Sequence, residues 1–407
     1  MSHPGIPRTV LISGAGIAGP ALAFWLRRAG FRPTVVEIAP GPRPGGQTVD
    51  LRGAGRTVVA RMGLLEAARA LAVPQRGIAF VDAQGRHRAE MTVEAFDGDG
   101  IVSELEILRG DLGQLLHDAT ADDVEYVFGH RVAALRQTSD GVEVTFDDET
   151  VRCFDLVVGA DGPHSGVRRL AFGPEEQFVR PVGGYTAWFT APDDVGLDGW
   201  YEMFNAPGGL VVSLRPDRVP GQAKAGLSFA SPPLRYDRSD LPAARRLVAE
   251  RFAGLGWRTP ALVAAAATAD DFYFDSITQV HLDRWSTGRV VLVGDAGCCP
   301  SPLTGMGTSL ALVGAYVLAG ELALAAGDHQ AAFAGYEARM RPYVRQGQQL
   351  PPGGIDGYAP PSAFRIRSRI LSTRLMVSRP LRGLVRRLFF SHADAIDLPD
   401  YPMLVPA

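Results

Sequence analysis

Three glycines and one acid stand closest to chemistry in this chain. Gly14, Gly16 and Gly19 lie in GAGIAG, directly after the apolar run TVLIS at residues 9–13, and Glu37 closes the next apolar run of Thr34, Val35 and Val36. Strand, glycine turn, helix, strand and acid arrive in the order of a dinucleotide-binding fingerprint. Gly14 permits the tight turn, Gly16 lets the backbone approach a pyrophosphate, and Gly19 lets helix and strand pack closely. Glu37 sits where a ribose hydroxyl needs an acceptor. The helix carried by PALAFWLRRAG, which follows Ala18 and Gly19 and ends at Gly30, offers free N–H groups and a partial positive charge to phosphates. No catalytic triad, metal-ligand cluster or carboxylate pair stands out elsewhere.

Two further acids close apolar runs. FDLVVGADGPHSGVR, residues 154–168, reaches Asp161 after Gly159, and VVLVGDAGCCPSPLTGMGTSLA, residues 290–311, reaches Asp295 after Gly294 before passing Gly305, Met306 and Gly307. Three strands carrying glycine and an acid at their carboxyl ends suit one side of an open parallel sheet, where such sheets bind ligands. The three motifs converge on one long ligand. A helix beginning near Thr308 would point its positive end at that ligand, and from Ser309 to Leu324 its only charge is Glu321, so it reads as buried.

Taken together, GAGIAG with Glu37, DLVVGADG with Arg168, and VGDAGCCPSPLTGMG resemble the three signatures of the class A FAD-dependent aromatic hydroxylases, the monooxygenases with the p-hydroxybenzoate hydroxylase fold. The resemblance covers residues 8–350, and RPGGQTVDLRG looks most like the tetracycline-inactivating branch and actinobacterial tailoring oxygenases. It implies FAD as cofactor. By the same resemblance Arg109, in LRGDL, reaches the phosphate and ribityl region, and Asp50, Asp161 and Asp295 contact FAD. Gly305 and Gly307 let the backbone approach the ring, with Met306 between them also at the cofactor, and Arg43 contacts NADPH. The implied reaction has NADPH or NADH reduce FAD, after which O2 adds at C4a and the hydroperoxide passes one oxygen atom to an electron-rich carbon. Two positions depart from the family pattern: Cys298 stands where a histidine is common, and Ser309 where an asparagine is.

The elements that must position these residues divide the chain. The expected fold is α/β, a Rossmann-like FAD-binding domain (residues 1–75, 101–177 and 276–350) with an inserted, mostly antiparallel substrate sheet (76–100 and 178–275) and a C-terminal bridging helix and tail (360–407). GGYTAWFTAP, GWYEMFNAPGGLVVSLRP and KAGLSFASPP carry the strand pattern of the insert. Trp188, Phe204, Lys224 and Pro302 are the candidate substrate contacts. Matching strands to the tetracycline-inactivating branch puts its polar grips on Trp188, Gly209 and Lys224, which implies a less polar substrate and leaves Lys224 to meet an enolate or carboxylate.

Bulk properties exclude other classes. The 407 residues are 46% hydrophobic and 21% charged with a net charge of −3, which offers no nucleic-acid surface. Three cysteines, Cys298 and Cys299 adjacent, make no disulfide framework and match a reducing compartment, and no apolar run free of charge and turn residues is long enough to span a bilayer, so a cytoplasmic protein without stable membrane insertion is expected, a monomer by default. Lys224 is the only lysine among 41 basic residues. Between residues 363 and 391 stand Arg365, Arg367, Arg369, Arg374, Arg379, Arg382, Arg386 and Arg387 with no acid before Ser391, read as a bridging helix whose arginine stems cover apolar surface rather than a membrane-surface helix. The expected activity is oxygen insertion into an aromatic or polyketide-like molecule. A non-redox cyclase that keeps FAD as a scaffold, and a flavin-bearing binding protein, are the alternatives.

Overall fold

The computed structural model describes residues 9–96, 105–194, 196–378 and 396–404. At its centre lies a six-stranded sheet in the order Ser286–Thr287, Val290–Leu292, Leu156–Gly159, Thr9–Ser13, Arg32–Glu37, Glu125–Phe128. All neighbours pair in parallel except the Ser286–Thr287 edge. Val10, Leu11, Ile12, Val157 and Val158 are fully buried, so these strands read as unbroken apolar runs because helices cover both faces. The helix Ala18–Arg28 follows the first strand so closely that a Cβ on Gly19 would lie 1.9 Å from the Gly14 carbonyl oxygen, which is why that position is glycine.

Gly307–Leu324 is the single helix among the described residues long and apolar enough to cross a membrane, yet nearly all of it is buried against Ala18–Arg28, Gly53–Arg61 and His329–Gly347. Its one charge, Glu321, accepts hydrogen bonds from Arg339 Nε (2.7 Å) and the Tyr401 hydroxyl (2.5 Å).

The inserted sheet has seven strands in the order Tyr273–Val280, Val179–Pro192, Gln222–Ala230, Leu210–Pro216, Trp200–Ala206, Gly77–Val81, His87–Thr92. Only Trp200–Ala206 and Gly77–Val81 run parallel. The edge strand Tyr273–Val280 straddles the boundary expected at 275. Sequence reasoning takes residues 178–275 as strands, but the structure places two helices there, Leu241–Phe252 and Thr259–Thr268. Their local signals are plain: Asp240 caps the first through Ala243 N, and a proline occupies the opening turn of each. They bury one face of the sheet through Phe189, Phe204, Phe229, Val248, Phe252 and Phe274. On the other face, Ile78, Phe80, Tyr201, Met203 and Val211 pack against Ile355, Tyr358, Ile370 and Met376.

The C-terminal helix Ala363–Met376 packs on the His87–Thr92 and Trp200–Ala206 strands. Residues 396–404 then lie on the nucleotide-binding side, where Arg61 Nη1 donates to the Pro399 carbonyl (2.9 Å) and Tyr401 is buried. The tail therefore touches both bodies. Arg379, Arg382, Arg386 and Arg387 lie outside the described residues.

Candidate active site

A single continuous cavity of about 2180 Å³ runs from the GAGIAG turn to the inner face of the seven-stranded sheet. Ordinary ligand pockets enclose roughly 300–1000 Å³, so this space takes a long cofactor and a second molecule end to end. Gly14, Gly16, Ala18, Glu37, Arg43, Asp50, Arg109, Asp161, Asp295, Gly305, Met306 and Gly307 all border it, as do Trp188, Lys224 and Pro302. Gly19 does not; it serves helix packing.

The nucleotide end is built from backbone. Gly14 holds φ of +110° and donates its N–H to the Val36 carbonyl (2.7 Å), fixing the turn between two parallel strands. Helix Ala18–Arg28 begins with no side-chain cap and no acid in its first turn, which leaves its opening N–H groups for an anion. Glu37 accepts hydrogen bonds from Ala15 N (2.9 Å), Ala39 N (3.0 Å) and Arg43 Nη2 (3.0 Å), so its carboxylate is held at the strand end. A Cβ on Gly16 would come within 3.1 Å of Arg109 Nη2. Arg109 forms no ion pair with any described residue, so it presents an unneutralised charge beside the turn that a diphosphate would fill. This donor set fits FAD.

Two loops close the middle. Asp161 accepts from the Ser165 hydroxyl (2.5 Å) and Val167 N (3.1 Å), which makes it a staple of its own loop. Arg168, fully buried, donates to the Ala296 carbonyl (2.9 Å) and the Pro163 carbonyl (2.6 Å), tying the DG loop to the GD loop. Asp295 follows Gly294 (φ +61°) at the start of the second loop. Burial pushes its carboxyl above the usual range, against the pull of Arg109. A Cβ on Gly307 would sit 3.8 Å from Asp295 Oδ1, so the acid and the opening of helix Gly307–Leu324 face the same space. Cys298 and Cys299 are free and buried, and burial raises both thiols, so neither is a reactive thiolate at neutral pH. Cys299, not Cys298, borders the cavity.

At the other end of the cavity, one row of side chains crosses the sheet. Trp188, Gly226, Ser213, Met203 and Phe80 are in register on successive strands. The Trp188 ring lies across Gly226: a Cβ there would meet Trp188 Cζ3 at 2.7 Å and Ser213 Oγ at 2.5 Å. A G226A substitution is therefore expected to drive the indole into the cavity. Steady-state kinetics should show KM for the best substrate rising about tenfold, the cost of a lost contact of about 1.4 kcal/mol, while FAD affinity stays within twofold.

Two expected contacts come out differently. Phe204 does not face the cavity; its ring is in the core under Leu241–Phe252 and Thr259–Thr268, 6.1 Å from Trp257, because strand alternation turns Met203 inward and Phe204 outward. Lys224 borders the cavity, but its ammonium is engaged by Asp217 Oδ2 (3.2 Å), Asp271 Oδ2 (3.4 Å) and the Thr190 hydroxyl. Two carboxylates already answer its charge.

Sequence reasoning alone does not single out several groups that the structure places around this cavity. Arg215 Nη2 donates to both Glu106 oxygens (2.8 and 3.1 Å), its guanidinium 4.2 Å over the Tyr201 ring. His164 Nε2 lies 2.7 Å from Asp275 Oδ2, joining the DG loop to the sheet edge. Arg369, on the C-terminal helix, reaches back to Met203. Each partner pair is far apart in the chain, so no spacing announces it.

Comparison with known proteins agrees with this geometry. The family model described as FAD binding domain matches residues 8–222 and 259–349. A flavin-dependent monooxygenase of Legionella longbeachae is 39% identical over 341 residues, 84% of this chain and 87% of the relative. An uncharacterized Mycobacterium tuberculosis protein is 45% identical over 354 residues, 87% of this chain and 95% of the relative. The crystal structure of the tetracycline destructase Tet(51) superposes with a TM-score of 0.81 at 34% identity, covering 98% of this chain and all of that one.

Proposed function

This chain belongs to the FAD binding domain family and is an FAD-dependent monooxygenase, and on that premise we propose that it draws electrons from NADPH or NADH and delivers one oxygen atom from O2 to a planar aromatic or polyketide-like molecule. The observation that carries this reading is the continuity of the cavity, which joins the nucleotide cradle to an apolar sheet face through the Pro302–Gly307 turn. FAD, when bound, supplies electron acceptance and the activation of oxygen.

The residues supply the rest. Arg109, Glu37 and the uncapped start of Ala18–Arg28 hold the nucleotide. The first N–H groups of Gly307–Leu324 direct a positive dipole end into the junction of the two halves, which would favour negative charge on a bound flavin there by about 1 kcal/mol per favourable contact. Asp295, kept half-buried beside Gly307, accepts hydroxyl hydrogen bonds there. Trp188, Met203 and Tyr201 offer a dry floor on which a flat substrate excludes water from the reacting face. Tet(51) is a tetracycline destructase; the apolar floor here, with Lys224 already neutralised, favours a less polar ring system.

The test is the visible spectrum of FAD-loaded protein under anaerobic NADPH or NADH, with a panel of phenolic polyketides. Bleaching that accelerates with one compound, followed by a product heavier by one oxygen on admitting air, is the expected result. A flavin that stays oxidised with every compound and both nucleotides would favour the scaffold cyclase over this reading.

A further inference from the structure

Eight arginines border the cavity, and their partners sort them. Arg43 pairs with Glu37, Arg52 with Asp50, Arg131 with Asp147, Arg215 with Glu106, and Arg365 with Asp356, while Arg169 is exposed to solvent. Arg109 and Arg369 remain, each without a carboxylate among the described residues. Arg109 stands at the nucleotide end. We propose that Arg369 is the substrate's anion receptor, and that the molecule oxidised is a flat ring system bearing an acidic oxygen, a carboxylate, phenolate or enolate, on one edge. This rests on the monooxygenase reading above and specifies its substrate.

The guanidinium is fixed from one side. Nη1 donates to the carbonyls of Gly357 (2.9 Å) and Tyr358 (2.8 Å) at the end of the short helix Gly354–Tyr358, and the group lies 4.2 Å over the Phe80 ring. Nη2 meets only the Met203 thioether at 3.0 Å, a weak acceptor. A charged donor with no better partner, on the wall of an apolar cavity, is costly unless an anion completes it. Among the described residues the remaining charged or phenolic neighbours are Tyr201 and Tyr358, with no acid. Burial lowers the guanidinium to about 10, so it is still charged at neutral pH.

Position fits as well as charge. Met203 and Trp188 are members of one row, three strand spacings apart, which at about 4.8 Å per spacing is about 14 Å between their backbones. Trp188 covers Gly226 at one end and Arg369 reaches Met203 at the other. Between them is room for a fused-ring molecule whose body lies on the indole side and whose anion meets Nη2.

Calorimetric titration of FAD-loaded protein with 3-hydroxy-2-naphthoate and its neutral isostere 3-hydroxy-2-naphthamide tests this without turnover, so a failure of NADPH oxidation would not obscure the answer. Wild type is expected to bind the naphthoate at least tenfold more tightly than the amide. In R369Q that preference should fall below twofold with amide affinity retained, and R369K should keep part of it. Equal affinities in wild type, binding of neither probe, an unchanged preference in R369Q, or equal loss of both probes there would overturn the proposal. The last outcome would make Arg369 a tether for the C-terminal helix. The wild-type comparison stands even if the variants fold poorly.

Discussion

Replacing Gly14 with alanine is expected to yield protein that leaves purification colourless and binds added FAD at least 100-fold more weakly than wild type. Two costs combine. The residue holds φ of +110°, a conformation that L side chains rarely adopt, and such strain costs about 1–3 kcal/mol. A Cβ would also lie 2.5 Å from the Ala160 carbonyl oxygen, 2.7 Å from its carbon and 2.9 Å from the Asp161 Cα. These are backbone atoms, so no rotamer change relieves the clash. The loops after Thr9–Ser13 and Leu156–Gly159 must part, and both line the nucleotide end. G30A is the control, because Gly30 has φ of +83° and nothing within 4 Å of its Cβ position. It should lose stability through the dihedral alone and keep its flavin. Flavin absorbance per protein, calorimetric titration with FAD and thermal unfolding read all three quantities. Flavin retained in G14A would show that the turn is not the cradle.

The second large effect is expected at Arg215. Glu106 is almost wholly buried, on the short strand Glu106–Leu108 that pairs with Thr48–Asp50, and Arg215 reaches it from the substrate sheet. The pair ties the seven-stranded sheet to the short strands Thr48–Asp50 and Glu106–Leu108. Removing one member of a buried ion pair costs about 3–5 kcal/mol, whereas replacing both with apolar groups is often neutral. At pH 9, above the folded value of the Glu106 carboxyl, R215M should therefore lose about that much in urea unfolding, and R215M/E106M should recover most of it. The pH dependence gives an independent sign. Burial raises the Glu106 carboxyl from its ordinary 4.5 to about 8 in wild type, with Arg215 opposing the rise. A carboxyl raised on folding contributes stability that is fully present below its unfolded value and is lost as pH climbs through its folded value. Without Arg215 the folded value rises further, so R215M keeps losing stability above pH 8, where the wild-type contribution has levelled. The gap between the two proteins should widen from pH 6 to pH 9. A constant gap, or a double variant no better than the single, would remove Glu106 as the partner that matters.

The turn at the first strand was legible from residue types because it is local. A strand, a glycine turn and a helix start lie within about twenty consecutive residues, and the glycine positions announce the backbone turn that borders the cavity. The same holds for Gly294, Asp295 and the helix after Gly307. Fold class follows from the same signals, since apolar runs alternating with helix patterns require a parallel sheet covered on both sides. The helices Leu241–Phe252 and Thr259–Thr268 carried capping and proline signals that strand-like neighbours obscured. What the tertiary structure decided was parity and pairing. Met203 and Phe204 are equally apolar and adjacent; which one lines the cavity depends on which face of the sheet those two helices cover. Lys224 and Arg369 are both basic and both reach the cavity; one is answered by Asp217 and Asp271 and the other by no described carboxylate. A charge has no fixed meaning along a chain, because its free energy depends on the dielectric and the counter-charge that distant segments bring to it. Composition names the groups, and packing determines which of them are left with something to bind.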